Sequence, residues 1–212
     1  MKHAALFDLD GVLVDTEPEY TKIWSSIDQA EPTGVENFAH KIKGMTLQRI
    51  LSTYFPKPGQ EERVKVLLAE RELTINYPIF DGVIELLKRL REAGIPAAIV
   101  TSSNNAKMKR LFEMHGGFRE YFDVVITDTD VSHGKPDPEC YLLAAERLNV
   151  PAEMCYVFED SINGARAGRA AGAVVIGLST TVSAEALEPI SDIVVSDLVG
   201  FTPDKMLATQ RK

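Results

Sequence analysis

The chain has 212 residues, 45% of them apolar and 25% charged, which is enough for one large domain or one domain with a small insert. A net charge of −8, from 23 basic and 31 acidic residues, argues against a broad nucleic-acid or anionic-membrane surface. No stretch approaches the ~20 apolar residues of a membrane span, and the apolar run before the first acidic pair is too short for a secretory signal. Two cysteines, Cys140 and Cys155, exclude a disulfide framework, although the pair could still join. A cytoplasmic protein is expected.

The first predicted strand is "HAALFDL" (3–9), and it runs straight into Asp8, Asp10 and Asp15. Carboxylates at i and i+2 on a strand point to one side, and like charges held so close are unfavourable unless a cation or a shared proton relieves them. From about 16 to 79 no convincing strand follows. Helical patterns stand around Ile23, Trp24 and Ile27, around Leu47, Ile50, Leu51 and Tyr54, and around Val64, Leu67 and Leu68. More than sixty residues are too many for a βα loop, so this interval is predicted to be an inserted helical bundle.

After the insert the rhythm changes. Val83, Leu86, Leu87 and Leu90 mark a helix that Gly94 and Pro96 stop. Strands are predicted at "PAAIVTS" (96–102), "DVVITD" (123–128), "CYVFED" (155–160), "AVVIGL" (173–178) and "DIVVSD" (192–197). Their apolar runs are continuous rather than alternating, as in strands covered on both faces. The helix after Pro138 places Tyr141, Leu142, Ala145 and Leu148 on one face. The run "GARAGRAAG" spaces Gly164, Gly168 and Gly172 four apart, which suits close packing of one helix. Strand and helix in alternation imply an α/β fold with a doubly wound parallel sheet, formed by residues 1–15 and 80–212 around the all-α insert 16–79.

In a parallel sheet all C-terminal strand ends share one edge, where ligands bind. Four such ends carry polar groups: Asp8 and Asp10, Thr101 and Ser102, Lys135 after the third strand, and Glu159 with Asp160. The carboxylates make an oxygen-rich site suited to Mg²⁺ completed by a phosphate. Thr101 and Ser102 offer a hydroxyl and N–H groups at a helix N-terminus, and Lys135 adds positive charge. One carboxylate can attack phosphorus while a second serves as acid and base, roles that Asp8 and Asp10 can fill. Taken singly each residue also has a structural reading, as a helix cap or solvated loop residue.

The stretches "DLDGVLVDTEP", "VTSSN", "GKPDP" and "FEDSINGARAGRAAG" resemble the four motifs of the haloacid dehalogenase-like superfamily, in its phosphatase branch and its β-phosphoglucomutase-like group. The likeness covers essentially the whole chain. It implies a Rossmann-like core with a helical cap inserted after the first motif, and an Mg²⁺-dependent phosphoric monoester hydrolase acting on a small phosphorylated metabolite, a sugar phosphate. It implies Asp8 as nucleophile and Asp10 as acid/base, Asp10 also offering its main-chain carbonyl to the metal. Thr101, Ser102, Asn105 and Lys135 would hold the phosphate, and Asp160 with Glu159 would bind the metal. The dehalogenases lack the second aspartate, so Asp10 argues against that activity.

The family places cap contacts with the substrate at "KIKGMTLQRI" and near Tyr20, which makes Tyr20, Lys43 and Thr46 candidates. Mutases of the group carry histidine where Tyr20 stands and arginine where Leu47 stands. Their absence favours a phosphatase over the alternative, a phosphosugar mutase, and Leu47 is read as helical core. A phosphonate-cleaving enzyme would need a cap amine, for which Lys43 and Lys22 qualify by type. A receiver-like domain that stores phosphate without turnover is expected to have ~120 residues and no insert. A monomer with no nucleic-acid or membrane partner is expected.

Overall fold

A computed structural model describes residues 2–42, 45, 47–72 and 74–211. Strand β1 (Ala4–Phe7) is followed by helices α1 (Glu17–Ala30), α2 (Phe38–Lys41), α3 (Leu47–Tyr54) and α4 (Gln60–Glu72). Alternation then sets in with α5 (Val83–Glu92), β2 (Ala97–Val100), α6 (Asn105–Met114), β3 (Val124–Ile126), α7 (Glu139–Leu148) and β4 (Cys155–Glu159). It continues through α8 (Ile162–Ala170), β5 (Val174–Leu178), α9 (Ala184–Leu187), β6 (Ile193–Val195) and α10 (Pro203–Ala208). The chain divides into two compact units, Met1–Asp15 with Pro78–Lys212, and Thr16–Tyr77.

The first unit is a Rossmann-like α/β domain. Its six strands run parallel in the order β3-β2-β1-β4-β5-β6, so the winding reverses between β1 and β4. Every residue of β1, β2, β4 and β5 is buried, which is why their sequences are continuous apolar runs. On one face Ala4, Leu6, Val100 and Val157 meet Tyr141, Ala144 and Leu148 of α7 and Ala167 of α8. On the other, Phe7 stacks on Phe158 with centroids 4.4 Å apart, and Phe122 and Phe201 meet them edge-on. Aromatic burial of this kind contributes about 0.5–1.5 kcal/mol per pair beyond area alone.

Two helix details differ from the sequence expectation. The buried stripe of α7 is Cys140, Tyr141, Ala144, Ala145 and Leu148, while Leu142 is 45% exposed. The apolar pattern admits either rotation, and the small residues let α7 lie close to the sheet through Ala144 instead. Helix α8 ends at Ala170, so Gly164 and Gly168 lie on its buried face but Gly172 is beyond it. Cys140 and Cys155 are both buried free thiols.

The helical unit has its own core. Phe38 takes edge contacts from Trp24, Tyr54 and Phe55, with centroids 6.1, 5.2 and 5.6 Å away. Ile23 and Ile27 of α1, Ile50 and Leu51 of α3, and Val64 and Leu68 of α4 complete the interior. Leu47, expected in this core, is 41% exposed because it is the first residue of α3, at the end of its apolar stripe. Among the described residues no helix is long and apolar enough to cross a membrane.

Candidate active site

The register of the central strands builds the site. Phe7 is level with Ile99 on β2 and with Phe158 on β4, so the residues just past them, Asp8, Val100 and Glu159, emerge side by side. The Asp8 N–H donates to the Phe158 carbonyl at 3.0 Å, which extends the ladder one step beyond β1. Lys135 arrives from the loop after β3. Its Nζ donates to Asp8 Oδ1 at 2.5 Å, to Glu159 Oε1 at 2.7 Å and to the Val100 carbonyl at 3.0 Å.

One ligand oxygen from each of Asp8, Glu159 and Asp160 lies within 4.8 Å of the others. Three carboxylates thus face one ammonium, an excess of two negative charges in a site from which water is largely excluded. Burial drives Asp8 well above the usual carboxylate range despite the opposing pull of Lys135, with Glu159 and Asp160 raising it further. Burial and the charge of Glu159 push Asp160 up to about 7. Burial works to lower Lys135, but Asp8 and Glu159 more than offset it and hold the amine charged. A cluster short of positive charge and furnished with hard oxygen donors fits a divalent cation.

Glu159 is wholly buried and fully engaged. Besides Lys135 it accepts from Tyr141 Oη at 2.7 Å, Ser161 Oγ at 2.9 Å and the Ser161 N–H at 3.3 Å. A Cβ at Gly164 would fall 1.7 Å from Glu159 Oε1, so only glycine lets α8 begin against this carboxylate. At Gly11, with φ +79°, a Cβ would fall 1.9 Å from Asp160 Oδ2, so the turn after Asp10 also needs glycine. Thr180 Oγ1 donates to the Gly11 carbonyl, and the Thr181 hydroxyl hydrogen-bonds Asp160.

Asp10 is arranged differently from the sequence expectation. β1 ends at Phe7, so Asp8 and Asp10 are not successive inward residues of a strand. The three-carboxylate group contains neither Asp10 nor Asp15. Instead Lys107 Nζ donates to both carboxylate oxygens of Asp10, at 2.6 and 2.7 Å, and Ser103 Oγ donates to Oδ2 at 3.0 Å. Each aspartate therefore has its own ammonium.

Thr101 is buried, and its Oγ1 accepts from the Ser103 N–H, which tightens the turn leaving β2. Helix α6 starts later than this pair, capped by Asn104. Thr101, Ser102, Ser132, Lys135 and Cys140 line a cleft of about 250 Å³. Asn105 is not drawn into the Asp8–Lys135 cluster. Its amide joins Thr127 Oγ1 at 3.2 Å and Thr129 Oγ1 at 2.9 Å. In the helical unit Tyr20 Oη donates to Glu72 Oε1 at 3.1 Å and borders a pocket of about 120 Å³ with Glu17, Thr21 and Trp24. Lys43 and Thr46 lie outside the described residues.

Sequence reasoning overlooked Ser103, Lys107, Tyr141, Thr180 and Thr181. Thr180 and Thr181 follow β5, whose C-terminal end lies on the same edge and could have been read as a fifth contributor. Lys107 is four residues after Ser103, a spacing that could have suggested a shared target. Tyr141 reads as core, and nothing in its stripe announces the hydroxyl contact.

The profile of the haloacid dehalogenase-like hydrolases matches residues 2–172. The chain belongs to that family. A phosphorylated carbohydrates phosphatase of Thermotoga maritima is 36% identical over 80% of this chain and 81% of its own. A β-phosphoglucomutase of Mycobacterium bovis is 29% identical over 92% and 89%. A solved haloacid dehalogenase (HAD) family hydrolase from Deinococcus radiodurans R1, with phosphate and sodium bound, superposes with a TM-score of 0.77 at 27% identity, covering 93% of this chain and 92% of that one. The protein is an enzyme of the HAD family, of the phosphoric monoester hydrolase class. The acidic cluster at its sheet edge is the kind of site in which HAD hydrolases hold a divalent metal.

Proposed function

We propose that this HAD enzyme is an Mg²⁺-dependent phosphatase that releases phosphate from a small phosphorylated metabolite, a sugar phosphate, through an aspartyl phosphate on Asp8. The observation that carries the reading is Lys135 Nζ at 2.5 Å from Asp8 Oδ1, beside the carboxylates of Glu159 and Asp160. One small volume thus holds a carboxylate suited to act as nucleophile, an ammonium suited to bind phosphate and further carboxylates suited to a metal, which supports the reading.

In the first half-reaction an oxygen of Asp8 attacks phosphorus, the bond to the leaving oxygen breaks, and Asp10 gives that oxygen its proton. In the second, water attacks the aspartyl phosphate and passes a proton to Asp10. The bond to Asp8 breaks and inorganic phosphate leaves. Lys135 and the Thr101 hydroxyl hold the phosphoryl oxygens, with Ser102 and Asn105 further out. With support from Glu159, the side chains of Asp8 and Asp160 and the Asp10 carbonyl would hold the cation. When bound it offsets negative charge on the phosphoryl group.

The helical unit is assigned the role of cap, with Tyr20, Lys43 and Thr46 as substrate contacts. The sugar preference rests on relatives such as the carbohydrate phosphatase. We place the enzyme in the cytoplasm as a monomer, with Cys140 and Cys155 as free thiols. The mutase relative makes phosphoryl return to the sugar the competing reading. A mutase must hold a second phosphate in its cap, and Tyr20, engaged with Glu72, offers no cation for it. The test is ³¹P NMR of β-glucose 1-phosphate with enzyme and Mg²⁺, with and without glucose 1,6-bisphosphate. Free phosphate in both samples is expected. Glucose 6-phosphate accumulating with little free phosphate would establish the mutase instead.

A further inference from the structure

The geometry points to Lys107, aided by Ser103, as the positioning residue that aims the Asp10 carboxylate at the leaving oxygen. The inference rests on the reading of Asp10 as acid/base. Asp10 sits in the turn after β1, where the N–H groups of Val12, Leu13 and Val14 all donate to the Leu9 carbonyl. That turn sets its backbone but leaves its side-chain torsions open. Two donors from the segment after β2 then make three hydrogen bonds to the carboxylate: Lys107 Nζ to both oxygens and Ser103 Oγ to one.

A straddling ammonium and a hydroxyl on one oxygen define both the direction and the rotation of the carboxylate plane. The pair is not an ordinary surface contact, which would contribute little. The Lys107 side chain is 13% exposed, whereas that of Asp10 is 34% exposed and remains open to a ligand. Lys107 is itself fixed, because it belongs to the first turn of α6 and its N–H donates to the Asn104 cap at 2.9 Å. A rigid helix therefore sets the aim of a side chain that begins on a loop. Proton transfer to a leaving oxygen depends steeply on such placement.

The experiment compares two substrates. A sugar phosphate leaves as an alkoxide that needs a proton, whereas p-nitrophenyl phosphate has a leaving group that departs without one. Rates are read in a single turnover, so that only the first half-reaction counts, because the second half-reaction uses Asp10 with either substrate. Lys107→Met should lower the rate of phosphoryl transfer from the sugar phosphate by about 10-fold and the p-nitrophenolate burst rate by less than about 2-fold. Lys107→Arg, which keeps a charge and a forked donor, should recover most of the loss. Ser103→Ala should move the ratio of the two rates in the same direction by less, and it carries the test alone if Lys107→Met does not fold.

Asp10→Asn is measured on the same pair. If it discriminates between the substrates while Lys107→Met and Ser103→Ala leave the rate ratio unchanged, the positioning inference is overturned and the assignment of Asp10 stands. If Asp10→Asn does not discriminate, both fail. A merely structural Lys107 would lower the melting temperature and leave the rate ratio where it was.

Discussion

Replacing Tyr141 with phenylalanine isolates one donor of the Glu159 clamp. The Tyr141 ring is fully buried in the core beneath β1 and β2, and Lys135 Nζ stands 5.1 Å from its centroid. Phenylalanine keeps that packing and the ring face under Lys135, and it opens no cavity larger than an oxygen atom. What disappears is the 2.7 Å bond to Glu159 Oε1. A bond to a charged acceptor contributes about 1.5–3 kcal/mol, and because Oε1 keeps Lys135 the loss should fall near the middle of that range. For a chain of this size, about 2 kcal/mol lowers the melting temperature by about 4–8 °C. Thermal unfolding in chelator should show this drop. Tyr156→Phe, whose hydroxyl has no hydrogen-bond partner among the described residues, serves as control and should shift by no more than about 2 °C. A Tyr141→Phe protein that melts with the control would refute the reasoning that Glu159 depends on this donor.

Asp8→Asn should leave the circular-dichroism spectrum unchanged and reduce turnover below about 1% of wild type, since an amide is a poor nucleophile at phosphorus; a folded variant with more than a few per cent of activity would remove Asp8 from that role. Gly11→Ala forces a Cβ to within 1.9 Å of Asp160 Oδ2 at a φ of +79°. It should destabilise by about 1–3 kcal/mol and weaken Mg²⁺ binding in titration calorimetry about 10-fold or more; wild-type affinity would contradict the placing of Asp160. In metal-free protein the pKa of Asp160 is raised from 3.8 to about 7, and Asp8 moves in the same direction. For an acid raised in the folded state, the stabilising contribution is complete below about pH 3.8 and is lost as pH rises through about 7. On the proposed assignment Mg²⁺ binds the ionised carboxylates, so its gain in melting temperature should be larger at pH 8 than at pH 5.5. Equal gains at both would count against these carboxylates as its ligands.

The part-exposed edge strands β3 and β6 were legible by their short β-branched runs. The four central strands were legible because a strand covered on both faces must be a continuous apolar run, as "AALF", "AAIV" and "VVIGL" are. Their polar ends were legible for the same reason, since Asp8, Thr101 and Glu159 each interrupt a run where the sheet stops. The helical insert declared itself by length and by the lack of any such run. Local pattern did not set the rotation of α7, which buries Ala144 and exposes Leu142, or the exposure of Leu47. Nor did it settle the pairing of charges. Read along the chain, Asp8 and Asp10 are neighbours that share a cation. In the fold Asp8 meets Lys135, 127 residues on, and Asp10 meets Lys107, 97 residues on. Which ammonium reaches which carboxylate depends on strand order, on the register that sets Phe7 beside Phe158, and on the angle at which α6 leaves the sheet. Those are fixed by packing among residues far apart in sequence, so only the tertiary structure could decide them.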